Sequence, residues 1–404
     1  MKAVPKILFL LPWVLFGAQT DLTGQDPFLE PYHVVWTEPS KDVSESMPLV
    51  GGDMGCNVWV ENGDLLMYVQ RSGSLSENGE YLKLGRIRLQ LHPDPFTQNH
   101  FFRQELKLRD GYMEITAGSA RGKEGQGIRI RLWVEIDRPI VHIDVESDTE
   151  IEVVAAYENW RTEDKELLDV PQGSRERFTC FNLEGYPGKV IRVKDEIGFS
   201  KKGILFYHRN PAEKLLPDLL IRQQGLEAYA DDIYDDLEDR TFGGLLLGKG
   251  FIPAGTGEGS YQITPFRSWK IKSRTAGKAH HIALVTHIGQ AETLEEWNDE
   301  LMQTAASLFQ DRQISFNKTL SWWHQFWDRS YIVIRPDKAD PSDPVWQMGR
   351  NYQLFRYQLG GNAFGEYPTK FNGGNLIYDP VLVNENSRYE PVSYTHLRAH
   401  ETRR

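Results

Sequence analysis

The chain of 404 residues holds only two cysteines, Cys56 and Cys180, and no Cys-x-x-Cys pair. It also lacks His-Glu-x-x-His and any Asp-rich loop of EF-hand spacing, so no metal site is expected. Gly-x-Ser-x-Gly is missing too, which leaves serine-hydrolase chemistry without a motif. A phosphate-cradling loop follows a strand and opens a helix, whereas the cluster Val50-Gly51-Gly52 opens a strand. It reads as a tight turn needing positive φ, and no cofactor is expected. Positive charge is scarce. The formal net charge is −11, and because residues 1–20 and 392–404 each carry +2, the body between them carries −15. Such a field repels phosphate backbones and anionic lipid heads and argues against nucleic acid as a partner.

Long apolar runs are absent after the N-terminus. There, Lys2 and Lys6 precede an apolar stretch from Ile7 to Ala18, the pattern of a secretory signal. A bilayer span needs about 20 apolar residues, and this run is shorter. The expectation is a periplasmic or secreted protein, with residues 1–20 removed and no membrane contact after cleavage. For Cys56 and Cys180 two readings stay open: one disulfide in an oxidising compartment, or two core thiols on apolar strands.

What the chain has in quantity is alternation. In "GIRIRLWVEIDRPIVHIDV", Ile128, Ile130, Leu132, Val134 and Ile136 point one way, and Arg129, Arg131, Trp133 and Glu135 the other. Asn62-Gly63 sits between two such runs and accepts the positive φ angles of a hairpin turn. Period two persists to about His287, and residues 21–288 are predicted to form a large antiparallel β-sandwich. Then the period changes. Thr293 and Glu296 make a capping box ahead of Leu294, Trp297, Leu301, Ala305 and Leu308. Phe316, Leu320, Trp323 and Trp327 share a second helical face, which Trp322 and Phe326 widen. Residues 289–335 are thus a helical linker whose aromatic stripe needs cover on both sides. After a Pro-broken stretch, Asp343 and Pro344 start a helix with Val345, Met348, Tyr352, Phe355 and Leu359 at 3–4 spacing, ended by Gly360-Gly361. That apolar seam asks for partner helices.

Three polar stretches carry less. "RSGSLSENGE", Arg71 to Glu80, reads as a surface turn. "YADDIYDDLEDR", residues 229–240, reads as a solvated acidic face. Asn317-Lys318-Thr319 is a glycosylation sequon, with meaning only in a eukaryotic secretory route. The closing "VSYTHLRAHET" resembles the translation of a sequencing-library adapter, so residues 392–404 are set aside as artefact, and with them the pair His396 and His400.

Taken in order, "MPLVGGDMGCNVWVENGDLLMYV", "YLKLGRIRLQL", "LEDRTFGGLLLGKGF", "WWHQFWDRSYI" and "YPTKFNGGNLIYD" resemble a bacterial family known as domain of unknown function 5703. That family is in turn similar to the α-L-fucosidases of glycoside hydrolase family 95. The resemblance covers about residues 35 to 390 and implies a β-supersandwich, a helical linker and an (α/α)6 barrel, here only its start, in residues 336–391. One position departs: the fucosidases carry Gly-Asn-Gly where this chain has Val50, Gly51 and Gly52. The loop after the first barrel helix implies Tyr367, Lys370, Asn372 and Gly373 as substrate-binding residues. The family's catalytic carboxylates lie on later barrel loops, so no catalytic residue is assigned. The implied activity is inverting glycoside hydrolysis, in which an acid and a base carboxylate stand roughly 6.5–9.5 Å apart. A carbohydrate is the expected partner. The alternative is a non-catalytic glycan-binding sandwich, and a third reading makes the sandwich a brace for the barrel.

Overall fold

The computed structural model describes residues 28–97, 100–120, 127–167, 186–213, 215–262, 264–330, 332–337 and 339–369. The chain opens with β1 (Val34–Trp36), β2 (Met47–Gly51), β3 (Met54–Glu61), β4 (Asp64–Arg71) and β5 (Gly85–His92). A meander follows in β6 (His100–Lys107), β7 (Tyr112–Ala120), β8 (Gly127–Val134) and β9 (Ile140–Asn159). Next come β10 (Lys165–Leu167), β11 (Val190–Arg192), β12 (Glu196–Phe199), β13 (Ile204–Arg209) and helix α1 (Leu215–Gln224). The described strands end with β14 (Thr241–Gly248), β15 (Phe251–Tyr261), β16 (Thr264–Ser273) and β17 (Gly277–Gly289). Helices α2 (Leu294–Thr304), α3 (Arg312–Arg329) and α4 (Pro344–Gly360) close the described chain.

The architecture turns on β9. Its first half pairs with β8 and β17, and from Glu152 to Asn159 it pairs instead with β5 and β16. One strand therefore belongs to two antiparallel layers, ordered β1-β6-β7-β8-β9-β17-β14-β13-β12 and β2-β3-β4-β5-β9-β16-β15. The sequence marks the crossing, because Glu146 to Glu150 is the one polar, largely exposed stretch of the strand. Between the layers lies one apolar core, with Leu49, Val58 and Ile87 from one side and Ile115, Ile130 and Ile143 from the other. The fold is mostly antiparallel β-sheet with a small helical part, as the alternation predicts. Asn62 and Gly63 take φ of 52° and 84° in the β3–β4 hairpin.

On β8 the outward set is less polar than its alternation suggests. Trp133 and Glu135 are buried because α3 lies over them: the Phe316 ring packs at 5.1 Å from Trp133, and Arg138 bridges Glu135 to Ser315. α2 seals the far face of the first layer, burying Trp297 and Leu301 on Leu245 and Val285. Its capping box is formed in full, with Thr293 accepting from the Glu296 amide and Glu296 from the Thr293 amide. Thr293→Ala should cost about 1 kcal/mol of stability in a urea titration, the usual loss of a cap.

α4 meets the sandwich with a face that its apolar period does not indicate. Trp346, Gly349, Gln353, Tyr357 and Gly360 are buried, and the predicted seam of Val345, Met348, Phe355 and Leu359 is exposed, Met348 to 62%. Small residues permit the approach. A Cβ on Gly349 would lie 3.1 Å from the Tyr32 hydroxyl, and one on Gly360 2.9 Å from Trp323. Gln353 donates to the Ile332 carbonyl at 2.5 Å, and the Tyr357 hydroxyl accepts from the Val50 amide at 3.2 Å. No helix among the described residues is long and apolar enough to cross a membrane.

Candidate functional site

At one end of the sandwich three connections form a layer with more buried polar groups than a core tolerates without purpose. The first is the β4–β5 connection, residues 72–84. Contrary to the surface turn expected for Arg71 to Glu80, Ser72, Ser74, Ser76, Glu77, Asn78 and Glu80 are all buried. The reason lies in distant parts of the chain. β13 and β14 are antiparallel neighbours, Arg209 opposite Thr241, yet residues 210–240 run between them where a hairpin needs only about 2–5. This excursion, together with β10 and β11, covers the loop. Leu216 and Leu237 pack with Leu167, Val190 and Leu75 to seal it.

Beneath that seal the polar groups find partners. Ser74 Oγ donates to the Leu82 carbonyl at 2.7 Å, and Asn78 Nδ2 to the Ile191 carbonyl at 2.8 Å. Glu77 Oε1 accepts from the Val193 amide at 2.9 Å and from Asn78 Nδ2 at 3.1 Å. His208 stands between two carboxylates, with Nδ1 at 2.9 Å from Asp195 and Nε2 at 3.0 Å from Glu77. Both neighbours are acceptors when ionised, so the ring fits as an imidazolium donating from both nitrogens. Burial works against its charge, but the hydrogen bonds to Asp195 and Glu77 prevail and raise its pKa above the ordinary value. Asp195 is in the mirror situation. Burial opposes its ionisation, while Arg161 and His208 hold its carboxyl down at about 2. Arg161 reaches it at 2.5 Å and Asn159 Nδ2 at 2.7 Å.

The second connection is the β2–β3 turn. Gly52 and Asp53 have φ of 50° and 57°, the positive values the glycine cluster predicts. A Cβ on Gly52 would come within 2.2 Å of the Arg138 carbonyl oxygen. Asp53 pairs with Arg71 at 2.9 Å, and its amide donates to the Gly361 carbonyl at 3.0 Å, which ties the turn to the end of α4. Burial raises the Asp53 pKa; Arg71 opposes the rise and Glu366 adds to it.

The third is the segment after α4, which carries Tyr367. The Arg240 guanidinium lies 4.8 Å from the Tyr367 ring centroid and donates to the Gly73 carbonyl at 3.0 Å. A Cβ on Gly73 would sit 2.5 Å from Tyr367 Cγ. The ring thus docks this segment on the β4–β5 loop, so of the expected substrate-binding residues Tyr367 is partly engaged in packing. Lys370, Asn372 and Gly373 lie outside the described residues, as do Cys180, residues 1–20 and residues 392–404. Cys56 is buried on β3, and burial pushes its thiol up to about 12, with Lys83 opposing. Among the described residues no group of three or more His, Cys, Asp or Glu could hold a metal ion.

Beside the His208 network a groove opens, lined by Glu77, Asn210, Pro211, Glu213, Asp235 and Glu238 among others. Sequence reasoning assigned none of these residues to a site. The nearby Ser72, Ser74 and Ser76 signal turn chemistry, and none of the three lines the groove.

Among the described residues, two antiparallel β-layers that share β9, followed by three helices, define the architecture. The chain belongs to the family DUF5703_N, Domain of unknown function (DUF5703), which matches residues 35–332, from β1 through α3. No curated protein matches the chain. Among solved structures it is similar to one titled "Putative kojibiose phosphorylase from human microbiome", at 12% identity and a TM-score of 0.43, over 82% of this chain and 42% of that one. The chain thus spans less than half the length of that protein.

Proposed function

We propose that this chain is the N-terminal part of an exported carbohydrate-active enzyme, an inverting glycoside hydrolase acting on glycans. In this reading residues 21–288 are the sandwich, 289–335 the helical linker, and 336–391 the first helix and loop of an (α/α)6 barrel. The observation that carries it is the outward face of α4. Val345, Met348, Phe355 and Leu359, continued by Phe364, form an exposed apolar strip on the side away from the sandwich. A strip of that kind is the inner seam of a helix bundle awaiting its neighbours. The resemblance in residues 35 to 390 supports the carbohydrate assignment, and the lysine-flanked apolar run supports export.

The catalytic carboxylates then lie on barrel loops outside this chain, and the polar layer at the end of the sandwich braces the rim of the pocket. The glycan-binding alternative has less support. Among the described residues the sheets present single exposed rings, Phe101 and Phe199, rather than a pair of exposed Trp or Tyr on one face. Residues 21–391 are expected to show no turnover of aryl glycosides or fucosylated oligosaccharides. Hydrolysis by that polypeptide, measured by released aryl group or reducing sugar, would place the chemistry inside the sandwich and overturn the assignment.

A further inference from the structure

We infer that the end of the first layer opposite the buried polar layer is a docking surface for a polyanionic glycan, a chain of sugars carrying carboxylate or sulfate groups. β13 and β14 connect the two ends: Arg209 and Thr241 stand at the polar layer, Ile204 and Gly248 at the far end. An eight-residue strand such as β14 is about 26 Å long, so the two ends are well separated. Three turns meet at the far end. The β12–β13 turn carries Lys201 and Lys202, Lys249 follows β14, and Arg274 and Lys278 flank the β16–β17 turn. The backbone lays these turns side by side. Ile204 is opposite Leu246, the Lys249 amide donates to the His281 carbonyl at 2.9 Å, and the Arg274 amide donates to the Gly250 carbonyl at 3.1 Å. All five cations are exposed, and among the described residues none of their side chains makes an ion pair or hydrogen bond. In a chain of net charge −11 that is unusual, since even the exposed Lys189 and Lys194 hold carboxylates, at 2.8 and 3.0 Å. Clustered cations without counterions repel one another, and a polyanion relieves that repulsion.

The strand order decides the shape of the partner. The turns follow β12, β13, β14 and β17 across the sheet, at about 4.8 Å per strand, so the cations form a row. β9 is the next strand after β17, and its exposed Glu146 and Glu150 border that end of the row. A single narrow chain can follow the row and stop short of these carboxylates. A bilayer surface or a nucleic-acid duplex is broad enough to be pressed against them as well, which costs repulsion. At the other end of the row Phe199 closes β12, opposite Ile204, and is 40% exposed. Its ring offers an apolar surface to the C–H face of a pyranose beside the Lys201 and Lys202 charges. The cation row by itself defines a narrow polyanion; that this polyanion is a glycan rests on the carbohydrate reading proposed above.

Calorimetric titration of the full chain at pH 7 and low ionic strength tests the assignment, with polygalacturonate, neutral dextran, phosphatidylglycerol vesicles and a DNA duplex as separate probes. Polygalacturonate should bind at least about tenfold more tightly than dextran, and about 0.5 M salt should remove the difference. Lys249→Glu/Arg274→Glu should weaken polygalacturonate binding about fivefold or more. Lys41→Glu/Arg329→Glu makes the same change in net charge at two exposed cations elsewhere and should alter binding by less than about twofold. Urea midpoints check that both variants fold; if the first is destabilised, Lys249→Gln/Arg274→Gln removes the same charges without adding new ones and should still weaken binding. Equal binding of polygalacturonate and dextran, or equal weakening by the two double variants, would overturn the inference. Tighter binding of the vesicles or the duplex would overturn the glycan assignment in favour of a lipid surface or a nucleic acid. Hydrolysis by residues 21–391 sinks the proposed function but leaves these binding results standing, so the two failures are distinguishable.

Discussion

Asp195→Asn is expected to destabilise the folded chain by about 3–5 kcal/mol, the usual cost of breaking one partner out of a buried ionic network. The side chain accepts hydrogen bonds from His208, Arg161 and Asn159, all of them buried. An asparagine keeps the shape and removes the charge. Arg161 and the His208 imidazolium are then left without their shared counterion, and one amide hydrogen now faces a donor. Urea titration gives the magnitude, and hydrogen exchange at the amides of Ser76 and Glu80, which belong to the covered loop, gives the location. A loss below about 1 kcal/mol would show that the network is solvated and that the loop is held by its apolar seal alone. Glu166→Gln, at the exposed pair with Lys189, serves as the control and should leave the midpoint unchanged.

The same groups set a pH window. Asp195 has its folded pKa lowered to about 2 from 3.8, so its contribution is present above about pH 4 and disappears as pH falls toward 2. His208 has its folded pKa raised from 6.5, so its contribution is complete below about pH 6.5 and is lost as pH rises through the raised value. The network is therefore worth most between about pH 4 and 6.5. Unfolding midpoints of the native chain should fall on both sides of that window, and His208→Gln should flatten the alkaline limb.

How far the sequence could be read depended on how local each signal was. The Asn62-Gly63 turn, the inward set of β8 and the Thr293–Glu296 box each declare themselves within a few residues, and each forms as expected. The loop from Arg71 to Glu80 is polar in every window, and its burial depends on His208 and Leu237, well over a hundred residues further on. On α4, a reading that counts apolar residues finds the outer face. The inner face relies on Gly349, Gln353 and Gly360, whose value is close approach rather than hydrophobicity. Tyr367 came from resemblance, and the structure places it against Gly73 and Arg240. The groove lined by Glu77 and Asn210 had no sequence signature, because its members come from two connections that meet only once both layers are formed.

The junction between sandwich and helices supplies the second large effect, in Gly111→Ala. Gly111 turns the β6–β7 hairpin with φ of 71°, where an alanine is strained by about 1 kcal/mol. Its added Cβ would lie 2.1 Å from Trp323 Cδ1, so the indole must move or the turn must open. The indole has nowhere to go: Trp323 is fully buried, with the Tyr357 ring at 4.9 Å, Phe326 at 5.5 Å and Gly360 against its far edge. The turn is equally fixed, since Asp110 pairs with His324 at 2.8 Å and Trp327 donates to the Leu108 carbonyl at 2.6 Å. Strain plus overpacking should total about 2–4 kcal/mol. Trp323→Ala alone should cost about 3–5 kcal/mol through the cavity it leaves. The two are coupled, because removing the indole removes the clash, and the double variant should be more stable than the sum of the single losses by at least about 1 kcal/mol. Additivity within about 0.5 kcal/mol in such a cycle would mean that the hairpin turn and α3 do not interlock. The sandwich would then not fix the position of α4, on which the proposed barrel depends.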